Sequence, residues 1–164
     1  MGAKLESATK KEERIDLESG QSQQYIVIEL GNEKHALSIS DIYEIIKMQK
    51  ITELPNSKHF LAGVTNLRGK IMPVISLRKR FGLADDEVSR KTRIVVVQHR
   101  DEMVGIIVDG VNQVTSFLDI QPAFEIVSGI DSHYFAGIGQ TEEGFMSILH
   151  IERVLSGSET REHQ

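Results

Sequence analysis

The sequence predicts an all-β fold built as two similar halves that pair as small barrels. One observation behind this is the number of short runs rich in β-branched residues, separated by Gly, Asn and Asp turns. The clearest are 25–30, 36–39, 64–67, 71–75, 93–98, 103–108 and 145–149. A second is an internal echo. Leu61-Ala62-Gly63-Val64 reappears as Phe135-Ala136-Gly137-Ile138, and Ile71-Met72-Pro73-Val74-Ile75 as Phe145-Met146-Ser147-Ile148-Leu149, both at an offset of 74 residues. Upstream of each hairpin lies a further echo, strand, polar turn, strand, strand, at 25–46 and 93–114. The halves fall at roughly residues 24–83 and 92–157. Two copies are too few for a solenoid, which needs about three repeats to bury a core.

Each element has its own reason. Residues 1–23 are polar with mixed charges and read as a mobile tail. After the strands at 25–30 and 36–39 comes Ser40-Asp41-Ile42-Tyr43-Glu44-Ile45-Ile46. Ile39, Ile42 and Ile46 have helical spacing with Ser40 as a cap, while Ile45-Ile46 favours a strand; a helical turn running into a strand satisfies both. The runs 64–67 and 71–75 flank Arg68-Gly69-Lys70, a hairpin in which Gly69 supplies the positive φ. Pro73 places the second strand at a sheet edge or at a bulge. Leu77 and Phe81 define one helical turn, and Arg78-Lys79-Arg80 is read as its solvated face. Asp85-Asp86-Glu87 and Ser89-Arg90-Lys91 form the linker. In the second half, Ile151, Val154 and Leu155 mark a closing helix that stops at Gly157, before a polar tail at 158–164. Ile28, Val74, Ile94, Val96, Ile106 and Ile148 are assigned to the barrel interiors.

Composition narrows the function classes. A chain of 164 residues buries about 70% of its extended surface. No apolar run approaches the ~20 residues of a membrane span, no secretory segment opens the chain, and there is no cysteine, so a cytoplasmic setting is expected. A net charge of −5, 5% aromatic residues and no tryptophan argue against nucleic-acid binding. The six histidines are scattered without metal-ligand spacing. Asp131-Ser132-His133 sets triad residue types side by side, but neighbours in a loop do not present triad geometry. Asp41 and Glu44, three apart, are read as surface acids rather than a catalytic dyad. Gly63 and Gly69 lack the phosphate-binding glycine patterns. The expectation is a protein without catalysis, cofactor or metal; a ligand-binding barrel is the rival from another class.

Four ordered blocks then carry a resemblance. Gly63-Val64-Thr65-Asn66-Leu67-Arg68-Gly69 through Pro73-Val74-Ile75-Ser76-Leu77-Arg78 resembles the signature hairpin of the chemotaxis coupling proteins, the CheW family. Ile42-Tyr43-Glu44-Ile45-Ile46 resembles its V-x-E-I block. Val104-Gly105-Ile106-Ile107-Val108-Asp109-Gly110-Val111 resembles V-G-x-x-V-D-x-V, and Tyr134-Phe135-Ala136-Gly137-Ile138-Gly139 resembles Y-x-x-G-x-G. Ser76 departs from the family, which usually has an acid or amide there.

The resemblance implies two five-stranded SH3-like β-barrels packed side by side, their halves intertwined within one domain at 24–157. It implies an adaptor without chemistry, linking chemoreceptor cytoplasmic tips to the regulatory domain of the histidine kinase CheA. The same adaptor could serve a chemosensory pathway that does not govern motility. The matching receptor-contact or coupling positions are Ile42, Glu44, Gly63, Arg68, Gly105, Val111 and Val114. Glu44 and Arg68 would face each other near a groove between the barrels, floored by Ile42, Val111 and Val114. Thr92 and Arg93 match a region the family turns toward the kinase. Such a protein would be recruited to membrane-associated receptor arrays without entering the membrane.

Overall fold

Strands from both halves of the sequence are woven into both main sheets. The computed structural model describes residues 23–84, 88–124, 126–127 and 130–156. The first half supplies β1 (Tyr25–Leu30), β2 (Glu33–Ser38), β3 (Ile42–Lys47), β4 (Leu61–Leu67), β5 (Lys70–Ser76) and helix α1 (Leu77–Arg80). The second supplies β6 (Arg93–His99), β7 (Glu102–Val108), β8 (Gly110–Thr115), β9 (Asp119–Gln121), β10 (Ile126–Val127), β11 (Ile130–Asp131), β12 (Phe135–Thr141), β13 (Gly144–Leu149) and helix α2 (Ile151–Ser156). One sheet runs β8-β1-β2-β13-β12-β9 and the other β3-β6-β7-β5-β4, with β10 and β11 paired separately. The exchange is made by two parallel seams. β2 meets β13 at His35↔Ser147 and Ala36↔Ile148, and β5 meets β7 at Val74↔Gly105, Ile75↔Ile106 and Ser76↔Ile107. The paired-barrel architecture is therefore present, with one sheet enlarged to six strands because β9 adds to β12.

The alternation of the strands explains the core. All six residues assigned to the interior, Ile28, Val74, Ile94, Val96, Ile106 and Ile148, are buried. The largest cluster takes Ile28, Leu30 and Leu37 from one sheet and Ile75, Val95, Val97 and Ile106 from the other. Ile151, Val154 and Leu155 of α2 seal it, as their helical spacing predicts. A short 3-10 helix at Ile39–Asp41 leads directly into β3, so helical and strand signals are both satisfied. Its cap is Ser38, whose Oγ accepts from the Ser40 amide at 3.3 Å, and not Ser40 itself. Gly157, the acidic linker stretch 85–87 and both polar tails, apart from Gln23, lie outside the described residues.

The β4–β5 hairpin closes through a two-residue turn with Arg68 at φ 52° and Gly69 at φ 87°. Two positive values match the twist of the flanking strands, as in a type I′ turn. The Gly69 amide donates to Asn66 Oδ1 at 2.8 Å. Pro73 does not mark an edge: β5 lies between β7 and β4. Its partner Val64 spends both backbone groups on Thr52, so Val64↔Pro73 is a non-hydrogen-bonded pair and the proline nitrogen points away from β4. Pairing with β7 begins only at Val74, one residue later, so no ladder bond is lost.

Two of the three cations of α1 are built into the structure instead of forming a solvated face. Arg78 reaches Asp109 through Nη2–Oδ2 at 2.7 Å and donates Nη1 to the Ala84 carbonyl. Arg80 donates Nε to the Val154 carbonyl at 2.8 Å, with its guanidinium 4.3 Å from the Phe60 ring centre. Charge in a short helix reads as solvation only when no acid or ring from a distant segment meets it.

Candidate functional site

Glu44 on β3 and Arg68 at the β4–β5 turn meet in a bidentate pair. Nη1 donates to Oε1 at 2.7 Å and Nη2 to Oε2 at 2.6 Å. Arg68 is 65% exposed and Glu44 24%, so the fork of the guanidinium is presented at the surface. The hydrogen bond from Arg68 holds the Glu44 carboxyl below its ordinary value. Arg68 adopts a left-handed backbone that favours glycine, and the turn holds it there. A groove of about 660 Å³ opens beside the pair, lined by Tyr43, Arg68, Ile71, Pro73 and Met103 among others. Tyr43 and Ile71 are large and mostly exposed.

The remaining positions separate by depth. Ile42 and Val111 lie on β3 and β8, one terminal strand of each sheet, and both pack half-buried against the central cluster. Val114, further along β8, is 51% exposed. Gly63 and Gly105 are buried. Gly63 has φ 149°, and a Cβ there would lie 2.2 Å from the Thr52 carbonyl oxygen. A Cβ on Gly105 would lie 2.7 Å from Ile94 Cγ2. Gly63 lets the Thr52 backbone approach, Gly105 leaves room for core side chains, and neither offers a side chain to a partner. Thr92 is buried, with Oγ1 accepting from the Ser89 amide, and Arg93 is half-buried.

Sequence reasoning missed Tyr43 and Ile71. Ile71 is hidden in the continuous apolar run 71–75, where no alternation shows that it faces outward. It also missed the Arg78–Asp109 pair, which spans 31 residues. The Asp131-Ser132-His133 triplet has a local explanation. Asp131 caps the 3-10 helix Ser132–Tyr134, its Oδ1 accepting from the His133 amide at 2.9 Å. Among the described residues no three His, Asp or Glu side chains are placed to hold a metal ion, and no helix is long and apolar enough to cross a membrane.

A family model for the CheW-like domain matches residues 24–159. The chain belongs to the CheW-like family. This CheW-like chain is 40% identical over 132 residues to the chemotaxis protein CheW of Bacillus subtilis, covering 79% of this chain and 85% of that one. It is 34% identical over 139 residues to the chemotaxis protein CheW of Klebsiella aerogenes, covering 84% of each. Among solved structures, the scaffolding protein TtCheW from Thermoanaerobacter tengcongensis superposes with a TM-score of 0.77 at 31% identity, over 87% of this chain and 94% of that one. The CheW-like match covers both sheets and the Glu44–Arg68 pair together.

Proposed function

We propose that this chain is a non-enzymatic adaptor that couples chemoreceptor cytoplasmic tips to the histidine kinase CheA. The observation that carries the reading is the surface-presented Glu44–Arg68 pair beside an open groove with exposed Tyr43 and Ile71. A helix laid into a groove needs apolar anchors and a few charged groups that fix its register. A guanidinium suits the second task because its planar fork stays charged at every working pH. Val114 on β8 supplies exposed apolar surface and Ile42 and Val111 lie half-buried on β3 and β8, all three outside the lining of that groove. Gly63 makes room for the Thr52 backbone and Gly105 for core side chains. The region of Thr92 and Arg93 is turned toward the kinase, with Arg93 and not the buried Thr92 offering side-chain surface, and the complex is recruited to receptor arrays at the membrane.

The test is reconstitution. Purified CheA and a receptor signalling fragment are mixed with and without the chain, and kinase autophosphorylation is followed as receptor ligand is added. Receptor control that requires the chain, together with co-purification of the three components, is the expected result. Receptor control that is equally strong without it overturns the reading.

A further inference from the structure

Lys47 and Arg93 are directly paired across the antiparallel strands β3 and β6. Like charges placed opposite one another destabilise a sheet. Arg90 and Lys91 stand in the turn just before β6, and all four cations line one shallow surface groove of about 920 Å³ formed by Lys47, Met48 and residues 89–93. Among the described residues no carboxylate lines it, while Glu29 lines the neighbouring groove that shares Lys91 and Arg93. Elsewhere, Arg68 pairs with Glu44, Arg78 with Asp109, and Arg80 packs on Phe60 and Tyr134.

The fold does not require this arrangement. In the other sheet, the first residue of β1 pairs with the last residue of β8 as Tyr25↔Thr115, the counterpart of Arg93↔Lys47. That pair is uncharged, and Tyr25 is buried under Phe117 at a ring-centre distance of 4.9 Å. The cationic turn is also ordered by its own hydrogen bonds. Ser89 donates its amide to Thr92 Oγ1 at 2.9 Å, Lys91 donates its amide to Ser89 Oγ at 3.0 Å, and Arg93 Nη1 donates to the Arg90 and Thr92 carbonyls at 2.8 and 2.9 Å. The backbone of the turn and the Arg93 guanidinium are held in place before any partner arrives.

We propose that Lys47, Arg90, Lys91 and Arg93 form a docking patch for a short acidic segment of a protein partner. The net charge of the whole chain is −5, so a long polyanion reaching beyond the patch meets a repelling field. A segment of a few residues stays within about one Debye length of the four cations. Met48 at the groove offers apolar contact between the charges. The choice of a protein partner rests on the adaptor reading, but the assay below needs neither kinase nor receptor and fails or succeeds separately.

The probe is a short fluorescein-labelled glutamate–leucine peptide titrated with the full chain and read by anisotropy. The triple variant Lys47→Glu, Arg90→Glu, Lys91→Glu should weaken binding at least about tenfold. The control triple Lys34→Glu, Lys50→Glu, Lys70→Glu changes net charge equally and should weaken it about threefold at most. Melting curves verify that both variants are folded, and Lys47→Gln, Arg90→Gln, Lys91→Gln gives an intermediate loss if the reversed version does not fold. Equal losses from the two triples overturn the proposal. So does tighter binding of an oligothymidylate or of phosphatidylserine vesicles than of the peptide. A rise of more than about tenfold on neutralising Asp85, Asp86 and Glu87 would assign the patch to the chain's own linker, also overturning it.

Discussion

Arg68 and Glu44 lie 24 residues apart and meet through both nitrogens and both oxygens of their terminal groups. The pair bridges the tip of the β4–β5 hairpin to β3, the strand at the opposite end of the same sheet's order. Both groups are open to water, where ion pairs add little to stability because screening and side-chain entropy offset the attraction. Their geometry is better suited to presenting an oriented charge than to holding the fold.

Substitution at Arg68 should therefore separate binding from folding. Arg68→Ala should leave the melting temperature almost unchanged and weaken receptor-fragment binding by about tenfold or more. Arg68→Lys should restore only part of the binding, since the charge returns without the fork. Arg68→Gly is the sharper probe. Glycine relieves the left-handed backbone at φ 52°, so melting should hold or rise while binding is lost. Calorimetry and titration on the same samples decide it, and a severe drop in melting with normal binding makes Arg68 structural.

Asp109 should make stability fall in acid. Burial pushes its carboxyl up, but hydrogen bonds from Arg78 and the Gly31 amide, with the Arg78 charge, hold it below its ordinary value. A depressed native value means the contribution is complete above the unfolded value of about 3.9 and disappears as pH falls through the native one. Asp109→Asn should cost about 1–2 kcal/mol at neutral pH, less than a fully buried pair because Asp109 remains 30% exposed. Urea denaturation of both proteins across pH 2–7 should show the variant with the flatter acid limb.

His35 should open a second, higher pH window. It is 2% exposed, stacks on Phe135 at 5.6 Å with Phe81 edge-on, and both ring nitrogens lack a hydrogen bond. Burial lowers its pKa, against a smaller upward pull from Glu33. The unfolded chain therefore takes up the proton first, and stability declines as pH drops below about 6.5. His35→Leu should flatten that decline without touching the Asp109 window. Melting temperatures between pH 5 and 8 check this, and an unchanged slope in the variant rejects it.

Gly63 and Gly105 should differ in severity. A methyl on Gly63 meets a backbone oxygen at 2.2 Å in a conformation that suits only glycine, so Gly63→Ala should cost about 3 kcal/mol or more. On Gly105 the obstacles are Ile94 Cγ2 and Met72 Cε, side-chain ends that can shift, and the cost should be about 1–2 kcal/mol. Denaturation midpoints rank the two; the reverse order would mean the segment around Thr52 yields more easily than the core.

The hairpin, the helical turn before β3 and the interior residues are legible because each depends on neighbours in sequence. Gly69 must turn, Ile42 must pack its side chain against the central cluster, and alternation separates the residues of the two faces. What lies beyond local reach is less legible. Pro73 looks like an edge marker until the Thr52–Val64 bridge shows which way its nitrogen points. Arg78 and Arg80 look solvated until Asp109 and the Phe60 ring arrive from distant segments. The seams β2–β13 and β5–β7 join strands with no periodicity in common, so only the family resemblance implied the interlocking. Glu44 and Arg68 likewise came from matched blocks, because no spacing rule links a strand residue to a turn 24 residues away.

The woven seams have a consequence for how the molecule can come apart. A fragment ending near the linker would own β1 to β5 yet lack β6 and β7 for one sheet and β8, β9, β12 and β13 for the other. Neither piece holds a complete sheet, so one piece alone would expose unpaired strand edges, and two cut pieces would regain the fold only by clasping again. Unfolding of either half of the sequence strips strands from both sheets, and the whole should melt in one step. Folding must close contacts between remote parts of the chain before any sheet is complete, which slows it relative to a string of independent barrels. A pull on one sheet is thus felt directly along the backbone of the other.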